Sequence, residues 1–130
     1  MRKAVAAIIL HNGHVLVGKK IRKEKHFISG GWHIPGGHVH KNEDEVTALI
    51  REMKEETNLD VEVGAKLTST HITINGTEVH WYICKPLTLE LKPMDDLEDA
   101  KFVSRQKVVD FCDTRATELW PQEVFDFLAG

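Results

Sequence analysis

The sequence predicts a mixed α/β (α+β) fold, with a mixed β-sheet sandwiched between helices. Three observations carry this reading. Two Asn-Gly turns, Asn12-Gly13 and Asn75-Gly76, each join two runs of strand-forming residues. The stretch from about Glu43 to Thr57 has helical apolar spacing. Strands and helices do not alternate regularly, so the sheet is not expected to be all parallel.

The elements follow in order. "KAVAAIIL" (3–10), small and β-branched, reads as a buried strand, and "VLVGKK" (15–20) as its return across the Asn12-Gly13 turn. "IRKEKHFISGG" (21–31) is a basic loop that ends in glycine. "WHIPGG" (32–37) is extended, because Pro35 steers Ile34 away from helix. A helix runs from Glu43 or Asp44 to Thr57, with Asn42 and Asp44 both suited to its N-cap and Asn42 with Glu45 resembling a capping box. "DVEVGAKLTSTHITI" and "TEVHWYICKPL" form a second, longer hairpin through Asn75-Gly76. "LTLELKP" (87–93) and "AKFVS" (100–104) are further strands. "RQKVVDFC" (105–112) and "PQEVFDFLA" (121–129) are helices, the second with Pro121 in its first turn.

Composition narrows the function. The 130 residues, 42% apolar and 28% charged, fit one domain over residues 1–130 with a real core. A net charge of −3 argues against bulk attraction to a nucleic-acid polymer, so an anionic substrate needs local cations or a metal. No apolar run approaches the ~20 residues that cross a bilayer. The start is basic and then apolar, like a short signal peptide. It has no small-residue cleavage site and breaks at "HNGH", so a first strand and a cytoplasmic location are expected. Cys84 and Cys112 match no metal or redox spacing and read as buried free thiols.

The helix poses a physical question. On a helical wheel Val46, Leu49, Ile50 and Met53 form one stripe, expected to face the core. Glu52, Glu55 and Glu56, at i, i+3 and i+4, share a second face, with small Ala48 one turn earlier. Like charges at these spacings repel, and they lie near the helix C-terminus, where the macrodipole disfavours anions. A solvated surface face is one explanation. A divalent cation is the other, because hard cations want several oxygen ligands. Gly36 and Gly37 fit that second explanation, since glycine angles could bring a main-chain carbonyl to the metal.

These residues resemble the Nudix box, Gly-x5-Glu-x7-Arg-Glu-U-x-Glu-Glu-x-Gly-U with U apolar. Gly37, Glu43, Arg51, Glu52, Met53, Glu55, Glu56 and Leu59 fit it over 23 residues. Six fixed positions in register arise by chance about once in 10⁷ starts. Asn58 stands where the pattern has glycine. In the preceding Pro-Gly-Gly stretch Asn42 replaces a glycine and His40 an acid. Asparagine tolerates left-handed angles best after glycine, so the backbone path is expected to survive.

The resemblance implies the Nudix fold and hydrolysis of a diphosphate bond with Mg²⁺, or with Mn²⁺ in its place. It assigns the metal to the Gly37 carbonyl, Glu52, Glu55 and Glu56. It puts Glu55, Glu52, Arg51 and Asp96 in the catalytic set, Arg51 bracing the helix with Glu43. The proton from water goes to one of the glutamates or to a carboxylate of "MDDLED", where Asp95, Asp96 and Glu98 are candidates, against an acidic surface loop. Lys20 resembles a phosphate-contacting residue of MutT-type members. Arg22 and Lys23 beside it, and His33 and His38 around the turn, are further candidates, against simple surface roles. His71 and His80 read as structural.

"ELWPQE" resembles the Trp-Pro-acid stretch of oxidised-purine triphosphatases, so Trp120 would stack on a base and Gln122 and Glu123 read its edge. The alternative is a tryptophan that only packs the last helix. No proline or tyrosine marks the stretch past the box as an ADP-ribose or dinucleoside polyphosphate hydrolase would. The resemblance thus implies a MutT-type nucleoside triphosphate pyrophosphohydrolase, acting on a small nucleotide as a monomer or homodimer. The rival readings are a hydrolase of ADP-ribose or another nucleoside diphosphate derivative, and a non-catalytic nucleotide sensor.

Overall fold

Both faces of the first strand, β1 (Arg2–His11), are apolar, and this places it at the centre of the sheet. Val5, Ala7 and Ile9 enter one core, and Ala6 and Ile8 enter the other. The computed structural model describes residues 2–23, 26–72 and 75–130. The expectations for Glu24 and Lys25 in the basic loop, and for Thr73 and Ile74 at the end of the second hairpin, lie outside those residues.

Asn12 (φ 49°) and Gly13 (φ 75°) make the tight turn into β2 (His14–Lys20). The hairpin is short: β1 and β2 pair only through Leu10–Val15 and His11–His14. Beyond it β2 turns away, pairing antiparallel with β7 (Leu97–Ser104) and β3 (Trp32–His33). β1 instead runs parallel to β6 (Thr77–Pro86) and antiparallel to β4 (Gly36–His38). β5 (Val61–Ile72) flanks β6 in the second hairpin. The sheet is therefore mixed and bends at the first turn.

Helices cover both faces. The first, α1 (Glu45–Thr57), buries Ala48, Leu49 and Met53 against Val5, Ala7, Ile9 and Tyr82. On the other face, α2 (Val108–Phe111) and α4 (Gln122–Ala129) bury Val108, Val124 and Leu128 against Ile8, Val15, Val17 and Trp81. Each such large side chain contributes roughly 1.5–3 kcal/mol when fully buried. Cys84 and Cys112 are buried free thiols.

Several expectations are corrected. Val46 and Ile50 do not face the core; each is 42% exposed. The rotation follows Glu45, whose carboxylate accepts from Tyr82 Oη (2.5 Å), Lys66 Nζ (3.3 Å) and Lys3 Nζ (3.3 Å), pinning the first turn to three strands. Ala48 and Glu56 turn inward with Leu49 and Met53 instead. The Asn42–Glu45 capping box does not form: Asp44 is the N-cap, accepting from Thr47 N at 2.7 Å, and Glu45 is engaged as above. "LTLELKP" is not a strand. Its amides, with that of Met94 just after it, reach the end of α1 and the turn that follows: Leu87 N donates to Asp60 O (2.7 Å), Lys92 N to Thr57 O (3.0 Å) and Met94 N to Glu56 O (2.8 Å). Pro93 has no N–H to offer a ladder, and the last helical carbonyls need donors. "RQKVVDFC" opens as a 3₁₀ turn (Arg105–Lys107) before α2, and α4 starts one residue after Pro121. A short helix not expected, α3 (Thr114–Thr117), is capped by Asp113 accepting from Arg115 N at 2.9 Å. Asn42 (φ 67°) and Asn58 (φ 66°) both adopt left-handed angles, as their places in the pattern require.

Candidate functional site

Arg51 is the hub of the loop–helix unit. Its Nε and Nη2 hold the two Glu43 oxygens at 2.8 and 2.9 Å, and Nη2 also donates to His38 O at 3.0 Å. Nη1 bonds Glu52 Oε1 (2.9 Å) and Glu55 Oε2 (3.2 Å). A planar guanidinium can serve all of these at once. The Arg51 fork, aided by the His40 amide, holds the Glu43 carboxyl down at about 2. Gly37 lies hard against Glu52: a Cβ there would overlap the Glu52 carboxyl group, so any larger residue would have to displace the Glu52 side chain, while at Gly36 a Cβ would strike the Val5 carbonyl.

The three helix glutamates do not form one cluster. Glu55 is half exposed, and Glu52 is turned to Arg51 and Gly37. Glu56 points inward, 6% exposed, and meets Asp95 and Asp96, with one oxygen from each lying within 4.8 Å of the others. Backbone bonds explain the meeting: Met94 N donates to Glu56 O, and Asp95 then turns at φ 55°. Lys20, on the bulged end of β2 and nearly buried, reaches Asp96 Oδ2 at 3.2 Å; Lys23 Nζ lies 4.0 Å from the other oxygen.

Electrostatics mark Glu56. Burial, then the charges of Glu52, Asp96 and Asp95, push its carboxyl up to about 8 against the pull of Lys20. Burial also raises Glu52, opposed by Arg51. Glu56 Oε2 is buried without a hydrogen-bond partner among the described residues. An unsatisfied buried carboxyl oxygen beside two more carboxylates is costly unless a cation completes the group. The all-oxygen donor set suits a hard divalent ion.

The other expected residues lie apart. Glu98 pairs with Lys19 (3.8 Å). Arg22 lies over Gly30 (φ 72°) on the exposed loop. His38 is exposed, its Nε2 3.1 Å from Arg2 Nη2. The His33 Nδ1 is buried without a partner among the described residues, and burial pushes its imidazole down to about 4. Trp120 packs with the core on the face opposite α1, edge-on to Trp81 (ring centroids 6.0 Å) and against Phe125 (5.8 Å). Glu123 accepts from Thr68 Oγ1 at 2.9 Å, and Gln122 donates to Asp126 at 2.9 Å. His80 is structural, between Glu78 Oε1 (2.5 Å) and Glu45 Oε1 (3.3 Å), and His71 is exposed on β5. Sequence reasoning misses the pairing of Glu45 with Tyr82; alternation along β6, which turns Tyr82 toward α1, is the available signal.

Comparison with known proteins identifies the family. The NUDIX domain family matches residues 1–124. The chain is similar to the CTP pyrophosphohydrolase of Escherichia coli (strain K12), 30% identical over 86 residues, which cover 64% of this chain and 62% of that protein. It is also similar to Nudix hydrolase 2 of Arabidopsis thaliana, 33% identical over 110 residues, 80% of this chain and 39% of that protein. The match thus spans less than two thirds of either relative. The solution structure of the E. coli ORF135 protein superposes with a TM-score of 0.76 at 22% identity, covering 99% of this chain and 89% of that one. Among the described residues no helix is long and apolar enough to cross a membrane.

Proposed function

Since the chain belongs to the NUDIX domain family, we propose that it is a Mg²⁺-dependent pyrophosphohydrolase that converts a nucleoside triphosphate to its monophosphate and pyrophosphate. The observation that carries this is buried Glu56, unpartnered at Oε2 among the described residues and gathered with Asp95, Asp96 and Lys20 at the end of the box helix. A small nucleotide is the substrate, rather than a nucleic-acid polymer. The triphosphate class draws support from the relative named as a CTP pyrophosphohydrolase. An oxidised or otherwise non-standard purine is the favoured base, from the "WPQE" stretch alone (120–123).

Glu56 with Asp95 and Asp96, the carboxylates the fold gathers, would hold the ion; the Gly37 carbonyl, Glu52 and Glu55, which the resemblance adds, would join them only if Glu52 and Glu55 turned from Arg51. Such an ion would neutralise phosphate charge and acidify a coordinated water. Arg51 keeps Glu52 and Glu55 aimed and is a positioning residue. Asp96, or a helix glutamate not engaged with the ion, takes the proton of the attacking water. Lys20, paired with Asp96 at 3.2 Å, would meet a phosphate oxygen. The base contact of Trp120, with Gln122 and Glu123 at its edge, rests on the "WPQE" resemblance alone, since Trp120 packs against Trp81 and Phe125 and Glu123 is bonded to Thr68.

The test is a hydrolysis screen over nucleoside triphosphates, oxidised purine triphosphates and ADP-ribose, with Mg²⁺ and with chelator, reading pyrophosphate against phosphate. Mg²⁺-dependent pyrophosphate release from a triphosphate is expected. Cleavage of ADP-ribose alone would move the substrate class, and binding without turnover on the whole panel would make the domain a sensor.

A further inference from the structure

Arg2, Lys3, His38, His40 and Lys41 converge on one cavity of about 470 Å³, where the start of β1 meets the loop between β4 and α1. Its acidic lining residue, Glu43, is already committed: both oxygens are held by Arg51, and Oε1 also accepts from His40 N at 3.0 Å. Lys3 is paired with Glu45 at 3.3 Å. Arg2 faces an imidazole rather than an acid, and Lys41 has no acidic partner among the described residues. A net-negative chain has therefore collected uncompensated cationic donors around one hollow. Guanidinium and ammonium groups in such a setting are phosphate binders.

We propose that this cavity is a second anion site that takes the phosphates of a pyrophosphate or of a nucleotide. It is separate from the carboxylate cluster, since the Arg51–Glu43 pair stands between the cavity and Glu52. Arg2 supplies a two-pronged contact, Lys41 a mobile charge, and the two imidazoles single N–H donors.

The experiment is a titration of ¹⁵N-labelled protein in chelator, with pyrophosphate in one arm and a nucleoside triphosphate in the other. Without divalent metal it reads binding alone, so it succeeds or fails independently of the hydrolase reading. The amides of Arg2, Lys3 and residues 38–41 are expected to shift in at least one arm. Equal affinity in both arms assigns the site to the bare phosphate chain, and a response to the triphosphate alone assigns it to a nucleotide's phosphates. The double variant Arg2→Gln, Lys41→Gln, surface changes that leave the core intact, should weaken binding at least about tenfold. Lys20→Gln should leave it within about twofold, and raising salt should weaken it. No shift at these amides, unchanged affinity in the double variant, or loss of binding in Lys20→Gln would overturn the proposal.

Discussion

Glu56→Gln tests the centre of the site without any assumption about substrate. The Glu56 carboxyl is held near 8, mainly by burial, against an ordinary value near 4.5. An acid raised in the folded state costs nothing below its ordinary value, because both states are then protonated. The cost grows as pH rises from about 4.5 and levels off above about 8. At pH 7 it amounts to about 3 kcal/mol. Glutamine keeps the shape and never ionises, and its amide N–H groups can donate to Asp95 and Asp96. In chelator the variant should therefore melt higher than the parent at pH 7, by on the order of 10 °C for a domain of this size. The gap should close at pH 4.5 and widen to pH 8. Adding Mg²⁺ should raise the melting point of the parent and leave the variant unmoved, while turnover in the variant falls ~10²-fold or more. Melting curves at pH 4.5, 7 and 9, with and without Mg²⁺, decide the matter. Parallel pH profiles would show that Glu56 is not ionisation-strained, and near-normal turnover would remove it from the metal set.

Three further outcomes are expected. Arg51→Lys loses the fork that serves Glu43, Glu52, Glu55 and the His38 carbonyl, so apparent Mg²⁺ affinity should weaken by about 10- to 100-fold, read from the Mg²⁺ dependence of the rate. Asn58→Gly relieves a left-handed angle but removes the 2.9 Å bond from Asn58 Nδ2 to Glu90 O, and the two effects should cancel to within about 1 kcal/mol; a larger loss in urea unfolding would make the side chain the anchor of that segment. Trp120→Ala should raise KM about ten- to a hundredfold with kcat less affected, if stacking holds the base. An unchanged KM with a lowered melting temperature would leave Trp120 as packing against Trp81 and Phe125 only.

Local chemistry is what the sequence makes legible. Asn12-Gly13 can hardly be anything but a tight turn, and the spacing from Gly37 to Leu59 is enough by itself to place the carboxylates on a helix. The rotation of that helix is not legible, because Val46 and Ile50 are as apolar as Leu49. What turns them outward is Glu45 meeting Tyr82 and Lys66, side chains that only the fold brings near. The parallel pairing of β1 with β6 is likewise a long-range choice that periodicity does not report. At the site, the glutamate face suggests three equivalent ligands. Burial separates them, sending Glu56 to the aspartates and Glu55 toward solvent.

The segment from Leu87 to Asp96 acts as a clasp. Two backbone hydrogen bonds at its far end, Lys92 N to Thr57 O and Met94 N to Glu56 O, hold the aspartates to the very residue they repel. The main chain that carries the acidic group is thus anchored to the helix end by backbone bonds. Variation should be tolerated unevenly along the clasp. Extra residues between Leu87 and Leu91, where side chains face solvent, would bulge outward and leave the acids in place. One residue inserted between Met94 and Asp96 would carry Asp96 out of step with Glu56 and with Lys20, and so dismantle the site while the fold around it stayed whole.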